Sequence, residues 1–345
     1  MTIRGRTIRG LTLALGIGLL ALVLALLLAW SVLAIYFSNL PWQPLRIAFA
    51  SLYGIAVIGA FALKERRGRT ILWFLVATAG VFAWWLTIKP SNLRDWAPEV
   101  ALLPQAEFKG DNVTITKLRD FEYRSEQDFT AHYEQRTYDL QALESMDLVL
   151  SYWGANRGIA HVILSFGFAG GDHVAVSVET RPEKGETYSA IGGFFKQFEV
   201  IYILAEERDV VQLRTNIRKE RVYLYPTRLP RDAVRLIFKQ LLMEANDLVE
   251  HPVFYQALQH NCTTAWIAIA EEAGGRRVPF DMRLLLNGYL DQLMYERGRL
   301  VGDESQGLPY DEMRGQHYIT EDAQKYQGDP NFSAKVRAHL PKLVK

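Results

Sequence analysis

The stretch His161-Val-Ile-Leu-Ser-Phe-Gly-Phe-Ala-Gly-Gly-Asp-His-Val-Ala-Val-Ser-Val-Glu179 predicts a β-hairpin. Both halves are rich in β-branched and aromatic residues, and Gly170-Gly171 between them suits a tight turn. If the turn is centred on these glycines, the numbers of facing residues sum to about 340 or 341. His161 then faces Glu179 or Thr180, where opposed Cβ atoms lie ~5 Å apart.

Cys262 is the only cysteine of the chain and follows His161 by about 100 residues, in Gln259-His-Asn-Cys-Thr-Thr-Ala-Trp266. The pattern predicts a helix over 263–273, so the thiol stands at a helix N-terminus, where the helix dipole favours the thiolate. A lone cysteine with a distant histidine is the pattern of a cysteine nucleophile with its base. The alternative is a small buried apolar residue on an amphipathic helix.

Further polar residues could complete such a site. Glu179, if it faces His161, could accept a hydrogen bond and orient the imidazole ring, which is the third role in a nucleophile–base–orienter set. His173 falls near the hairpin tip and is the alternative orienter. Asn261 suits a helix N-cap and, with Thr263, could support an oxyanion. Equally, His161 could be a structural residue at a strand end, and Glu179 could belong to a solvated charged surface.

Metal and nucleic-acid chemistry are not indicated by the sequence. A zinc site needs three or four converging ligands. The remaining histidines show no such spacing, at His132, His251, His317 and His339. The formal net charge of +1 argues against a nucleic-acid binder. We therefore predict no metal and no cofactor.

Three long uncharged runs predict a membrane anchor over residues 1–89. A helix needs ~20 apolar residues to cross the hydrocarbon core of a bilayer. The predicted spans are about residues 11–37, 46–63 and 70–88. The first run is longer than the apolar core of a signal peptide, so we interpret it as a retained helix.

Basic residues predict the orientation of these spans. They cluster before the first span and between the second and third, at Arg4, Arg6, Arg9, Lys64, Arg66, Arg67 and Arg69. The positive-inside rule places both clusters in the cytoplasm, in a bacterial inner membrane, and everything after the third span in the periplasm. A single cysteine in an exported domain has no internal disulfide partner, so Cys262 is either inert or reactive.

Beyond the anchor, the sequence predicts a proline-containing tether over 90–107, a periplasmic domain over 108–320 and a polar C-terminal tail over 321–345. Besides the hairpin, the sequence predicts strands over 113–116, 147–153, 198–204 and 221–225. Helices are predicted after them, over 231–248, 263–273 and 282–299. Strands first and helices afterwards are typical of an α+β domain.

Six stretches between about Asn112 and Tyr318 resemble the periplasmic domain family named after Lnb, a bacterial lipoprotein N-acyltransferase. They are Arg119-Asp-Phe-Glu-Tyr-Arg-Ser-Glu126, Ala160-His-Val-Ile-Leu-Ser-Phe-Gly-Phe168, Ser177-Val-Glu-Thr-Arg181, Gly185-Glu-Thr-Tyr-Ser189, Val222-Tyr-Leu-Tyr225 and Asn261-Cys-Thr-Thr264. The His-strand and Asn-Cys elements also resemble thiol enzymes with a circularly permuted papain-like core, such as lecithin:retinol acyltransferase and the NlpC-type peptidases. In those enzymes the strand histidine precedes the Asn-Cys helix, as it does here.

The resemblance implies an α+β, permuted papain-like domain preceded by three transmembrane helices. It implies Cys262 as nucleophile and His161 as base, with Glu179 or His173 as the third polar residue. The implied activity is a thiol acyltransferase that forms a Cys262 thioester from a phospholipid and passes the acyl group to an amine such as a lipoprotein N-terminus. Phospholipid, lipoprotein and the membrane are then its partners, and nucleic acid is not. Two alternatives stay open: a cysteine peptidase or amidase acting on cell-envelope peptides, and a non-catalytic envelope binding module.

Overall fold

A computed structural model describes residues 3–63, 67–189, 191–256, 279, 281–302 and 307–341 of the protein, with the backbone alone for residues 3–10. The chain forms two compact units. The first consists of Met1–Pro90 and Ser189–Gln197, and the second of Ser91–Tyr188 and Phe198–Lys345. A short segment of the first unit therefore interrupts the second unit in the sequence.

Three long helices make up most of the first unit: α1 (Ile3–Tyr36), α2 (Gln43–Ala62) and α3 (Arg67–Thr87). Leu11–Tyr36 in α1 and the whole of α2 and α3 are long and apolar enough to cross a membrane. Most of their apolar side chains are exposed within the protein, as expected for helices whose surface faces lipid. The three predicted spans fall on these three helices.

An eight-stranded sheet forms the centre of the second unit. Side by side, its strands are β1 (Gln105–Lys109), β2 (Asn112–Arg119), β9 (Glu199–Ala205), β8 (His173–Arg181), β7 (His161–Phe168), β6 (Leu143–Tyr152) and β10 (Arg221–Pro226), and β5 (Tyr133–Asp139) also pairs with β2. Only β2 and β9 run parallel. β3 (Glu122–Tyr123) and β4 (Phe129–Thr130) form a separate hairpin. Every strand that the sequence predicts is present, and the α+β fold class is confirmed.

Both faces of the sheet are covered, because successive residues of the central strands point to opposite faces and both sets are largely apolar. One face packs against α5 (Arg231–Glu250), where the Phe238 and Phe166 ring centroids lie 4.8 Å apart. The apolar residues of α5 recur every three or four positions, at Val234, Ile237, Phe238, Leu241, Leu242, Ala245 and Leu248. The other face, which we call the opposite face, packs Ile163 of β7 in one core with Val210 and Phe332.

The predicted polar tail over 321–345 is wrong for residues 321–341, which fold onto the opposite face. Helices form over Thr320–Lys325 and Phe332–Val336, and Phe332, Val336 and Leu340 are buried in the core of this face. Arg337 donates to Asp147 Oδ2 at 2.8 Å and to Glu207 Oε2 at 2.7 Å. The three apolar residues recur at four-residue spacing, which is a helical signal that the polar composition conceals.

Residues 91–107 are packed onto the second unit rather than forming a tether. Trp96 and Val100 are buried, and the guanidinium carbon of Arg181 lies 4.2 Å from the centroid of the Trp96 ring. A 3-10 turn forms over Pro98–Val100, and β1 already begins at Gln105. The prolines that suggest a linker serve here as turn residues. Proline fixes φ in both extended linkers and turns, so its presence alone does not distinguish them.

The side chain of Glu199 anchors the start of this segment. Its Oε1 accepts a hydrogen bond from the Ser91 backbone N–H at 3.0 Å and lies 2.8 Å from Arg94 Nη2. Burial raises the pKa of Glu199 to about 7, although the nearby charge of Arg94 opposes this shift. A carboxyl group with a raised pKa stabilises the fold most in its protonated form, so its contribution is lost as the pH rises through about 7.

The predicted helix over 282–299 is broken into pieces. Two 3-10 turns, Met282–Leu284 and Asn287–Tyr289, precede an α-helix over Leu290–Glu296. The break has a packing reason, because a Cβ atom on Gly288 would lie 1.8 Å from the Arg157 carbonyl oxygen. Tyr152 also donates its hydroxyl hydrogen to the Gly288 carbonyl oxygen at 2.7 Å. This segment is therefore held against the loop that precedes β7.

We expect Gly288→Ala to lower the free energy of unfolding by roughly 1–3 kcal/mol, because the added methyl group meets backbone that must shift. Gly315→Ala is the matched control: its Cβ would meet nothing within 4 Å, and it lies in the helix Tyr310–Gln316. That variant should be neutral or slightly stabilising, since alanine favours helix over glycine. Thermal unfolding of the purified full chain measures both, and equal transition temperatures for the two variants would contradict the packing argument.

We expect the transition temperature of Glu199→Gln to rise relative to that of the unsubstituted protein as the pH increases from about 5.5 to about 8.5. Glutamine resembles the protonated carboxyl group, whereas Glu199 ionises across this interval and loses its contribution to stability. Thermal unfolding at several pH values gives the difference. Glu107→Gln, at a 66% exposed side chain, serves as the control and should show a constant difference. The prediction is wrong if the difference in transition temperature between Glu199→Gln and the unsubstituted protein is the same at every pH.

Candidate functional site

His161 is held at the start of β7, between β6 and β8. It pairs in register with Ser151 of β6 and is only 9% exposed. The residue before it, Ala160, donates its backbone N–H to Asn287 Oδ1 at 2.9 Å. The side chain of Asn287 and the hydrogen bond from the Gly288 N–H to the Gly158 carbonyl oxygen at 3.2 Å thus fix the backbone just before the histidine.

The hairpin has the register that the Gly-Gly turn predicts. Residue numbers of facing pairs sum to 340, from Ile163 opposite Ser177 to Gly167 opposite His173. Continued by two residues, the same register brings His161 to Glu179. Because residues two apart on a strand share a face, His161, Ser177 and Glu179 all lie on the opposite face of the sheet.

The three side chains form a closely hydrogen-bonded group. His161 Nε2 lies 2.7 Å from Ser177 Oγ and 3.0 Å from Glu179 Oε1. Ser177 Oγ donates to the same carboxylate oxygen at 2.8 Å, and Arg214 Nη2 donates to it at 3.0 Å. An ionised carboxylate can only accept, so His161 carries its hydrogen on Nε2. This tautomer places the basic lone pair of the imidazole on Nδ1.

The electrostatics of the group keep Glu179 ionised. Burial raises the pKa of Glu179, but the attraction of His161 in its protonated form, the charge of Arg214 and the hydrogen bonds from His161 and Ser177 outweigh burial and hold this pKa well below the usual range. Glu179 therefore remains a negatively charged acceptor at every physiological pH. A fixed charge on one side of the ring stabilises the imidazolium that a general base becomes.

Arg214 extends the group to a second carboxylate. It lies in the turn Leu213–Ile217 after the short helix α4 (Glu207–Gln212), and its side chain is 7% exposed. Arg214 Nη1 is 3.7 Å from Glu220 Oε1, and Ser151 Oγ donates to the other oxygen of Glu220. Arg214 therefore lies between two carboxylates, Glu179 and Glu220, and these charges resist any reorientation of the buried arginine.

His173, the alternative orienter, lies elsewhere. It stands opposite Gly167 at the tip of the hairpin, where its Nδ1 is 2.9 Å from the Gly171 carbonyl oxygen. Gly167 lies six positions after His161 in β7, which corresponds to about 20 Å along a strand. The structure therefore brings Glu179, and not His173, to His161.

Cys262, Asn261 and Thr263 lie outside the described residues. Their predicted roles as nucleophile, helix cap and oxyanion support stay predictions. His161 and Glu179 are in contact, as the hairpin register predicts, and their roles as base and orienting residue stay predictions as well.

Two residues of the group are missing from the sequence interpretation. Ser177 precedes Glu179 by two positions, so period-2 alternation places it on the same face, and this signal could have identified it. Arg214 gives no such signal, since it comes from a turn far along the chain and reaches Glu179 only through the tertiary fold.

A cavity of about 390 Å³ opens beside Glu179 and Arg214. This volume lies in the range of pockets that bind small ligands. Tyr123, Phe129 and Ile203 contribute apolar surface to its wall. The cavity thus offers mixed polar and apolar surface next to the charged group.

Asp120, His132 and Glu134 bring three groups that could ligate a metal within 4.8 Å of one another. Both carboxylates already have cationic partners: Arg208 donates to Asp120 at 2.7 Å, and Arg136 donates to Glu134 at 2.6 Å. A bound cation would compete with these arginines, so the arrangement is that of an ion-pair network.

The described elements define a class of protein: three helices able to span a membrane, followed by a sheet-rich α+β domain. Residues 129–288 match the family model described as the Lnb N-terminal periplasmic domain. This range includes the hairpin, Arg214 and the position of Cys262, and over it the chain is similar to that domain family. No curated protein and no solved structure matches the chain. The protein therefore combines three helices long and apolar enough to cross a membrane with a stretch similar to an envelope domain, the Lnb periplasmic domain.

Proposed function

We propose that this protein is a membrane-anchored thiol acyltransferase of the bacterial envelope, with Cys262 as nucleophile, His161 as base and Glu179 as the residue that orients His161. The observation that carries the proposal is the contact of His161 Nε2 with the ionised Glu179 and with Ser177. It fixes one tautomer of the imidazole and leaves Nδ1 as the basic atom. The group lies within the residues similar to the Lnb periplasmic domain, and the acyl transfer that this resemblance implies is the second support for the proposal.

In the first half-reaction, His161 Nδ1 accepts the thiol proton of Cys262, and the thiolate attacks the carbonyl carbon of a phospholipid ester. The C–S bond forms as the carbonyl becomes a tetrahedral oxyanion, which backbone amides near Thr263 would stabilise. Collapse of this intermediate breaks the ester C–O bond. The departing alkoxide takes the proton from His161, so a lysophospholipid leaves and an acyl thioester remains on Cys262.

In the second half-reaction, a primary amine attacks the thioester carbonyl. The α-amino group of a lipidated N-terminal cysteine is an amine of the required kind. His161 accepts a proton from the attacking nitrogen, the C–S bond breaks, and the proton returns to the sulfur of Cys262. An amide has then replaced the ester, and the enzyme is regenerated.

A location at the membrane fits this chemistry, because donor and acceptor are both lipids confined to a bilayer. Basic residues before the first predicted span and between the second and third favour an inner-membrane orientation with the N-terminus in the cytoplasm and the second unit in the periplasm. The proposed partners are therefore phospholipid and lipoprotein.

Trapping of the thioester tests the reaction. The full chain is reconstituted with phospholipid carrying a labelled acyl chain, with and without a diacylated lipoprotein, and Cys262 is examined by mass spectrometry for an acyl adduct cleaved by hydroxylamine. We expect the adduct without acceptor, its discharge on addition of lipoprotein, and its loss in Cys262→Ala. No adduct in either condition would overturn the proposal, and cleavage of envelope peptides without lipid would favour the peptidase alternative.

We expect His161→Gln to slow thioester formation by roughly 10²–10⁴-fold, the usual contribution of a general base. His173→Gln is the matched control, since His173 lies at the hairpin tip, and its rate should stay within about twofold, a difference well under 1 kcal/mol in activation free energy. The measurement is the single-turnover rate of labelled acyl transfer to the enzyme. Equal losses in the two variants would contradict the assignment of the base.

We expect Glu179→Gln to move the acidic limb of the pH–rate profile of thioester formation to lower pH. Glutamine keeps an acceptor for His161 Nε2 but removes the negative charge that stabilises the protonated ring. Glu179 itself does not produce this limb, because its pKa is held well below the usual range. Ser177→Ala retains the charge and serves as the control, with a lower rate but an unmoved limb. An unmoved limb in Glu179→Gln would argue against Glu179 as the partner of the base.

A further inference from the structure

The connection between β8 and β9 contains a short segment that belongs to the first unit. This segment, Ser189–Gln197, which we call the β8–β9 insert, reads Ser-Ala-Ile-Gly-Gly-Phe-Phe-Lys-Gln. It contains one charged residue, Lys196, and no acidic residue. Charged residues crowd the sequence just before it, at Glu183, Lys184 and Glu186. The change in composition is abrupt and coincides with the change of unit.

Two side chains of the insert attach it to the ends of the long helices. Phe195 is buried and stacks on Phe37, just after α1, with the ring centroids 5.8 Å apart. Lys196 Nζ donates to the carbonyl oxygens of Trp85 at 3.0 Å and Ile88 at 3.1 Å, and it lies 4.3 Å from the centroid of the Trp85 ring. The last carbonyls of a helix are the negative end of its dipole, so an ammonium group suits this position.

The backbone of Lys196 indicates that this attachment is specific. Its φ is +56°, in the left-handed region that residues other than glycine rarely adopt. Such a conformation persists only when the surrounding contacts compensate for it. The hydrogen bonds to α3 and the stacking of Phe195 supply those contacts.

The insert also presents apolar side chains outward. A one-turn 3-10 helix over Gly192–Phe194 is closed by the hydrogen bond from Phe194 N–H to the Ile191 carbonyl at 3.0 Å. Ile191 is 54% exposed and Phe194 is 55% exposed, although Phe195 beside them is buried. Ile191 and Phe194 therefore leave more than half of their surface exposed among the described residues.

We infer that the β8–β9 insert is a membrane-surface anchor, with Ile191 and Phe194 inserted among the lipids at the end of the helices where α1 and α3 finish. Phe37, Trp85 and Ile88 mark the ends of the first and third helices able to span a membrane, so contacts with them set the insert at the depth of the interface. Trp85 agrees with this depth, because tryptophan is enriched at the interface between the apolar core of a membrane and the polar headgroups. The partner is therefore a phospholipid surface. The inference goes beyond the proposed function and does not depend on the chemistry of Cys262.

Spin-label accessibility tests the inference with the full chain in phospholipid nanodiscs. Cys262→Ser removes the native thiol, and single cysteines are introduced as Phe194→Cys and Ile191→Cys. Ile55→Cys in α2, 70% exposed, is the lipid reference, and Asp232→Cys, with a 97% exposed side chain in the second unit, is the water reference. We expect nitroxides at positions 191 and 194 to be accessible to oxygen and protected from a water-soluble nickel complex. Their accessibilities should lie between those of the lipid reference and the water reference. Accessibility equal to that of position 232 at both sites would overturn the inference.

Lys196→Met distinguishes anchoring through the Lys196 contacts from non-specific hydrophobic insertion of Ile191 and Phe194. Without the ammonium group the bonds to Trp85 and Ile88 are lost, so the label at position 194 should become several-fold more accessible to the nickel complex. Arg221→Met, at an exposed residue of β10, is the control and should leave the label unchanged. An unchanged label in Lys196→Met would overturn the role of Lys196 as the anchoring residue.

Discussion

The oxygen atom Glu179 Oε1 is the point on which the candidate site depends. It accepts hydrogen bonds from Ser177 and Arg214 and lies 3.0 Å from His161 Nε2. One anion thus fixes the histidine tautomer, fixes the serine hydroxyl and neutralises a nearly buried guanidinium group. Removal of any one partner would leave a buried charge or dipole uncompensated, which is why such groups act as a unit.

The supports of this group come from distant parts of the sequence. The hairpin supplies its register, the turn after α4 supplies Arg214, and Asn287 holds the backbone in front of His161. Family similarity over residues 129–288 covers all of these supports. The matched range therefore contains both the hairpin and the segments that fix its histidine.

Local pattern accounts for most of what the sequence predicts correctly. The three long helices, the strands and the contact of His161 with Glu179 follow from hydrophobic periodicity and from one glycine turn, which are signals contained within a few residues. The failures depend on distant contacts. The segment 282–299 has helical periodicity but is broken where Gly288 meets Arg157, and no local signal reports that approach. Residues 91–107 and 321–341 have the composition of linkers, yet Trp96, Phe332 and Arg337 bind them to the sheet.

The placement of Phe332, Val336 and Arg337 on the opposite face has a consequence for the order of folding. These residues are synthesised after every strand of the sheet, and they cover the same face that carries Ile163 and the buried Asp147. Until they arrive, that face presents bare apolar surface and two carboxylates without their guanidinium partner. Covering of this face is therefore a late step of folding, because it must wait for residues that follow the last strand of the sheet in the sequence.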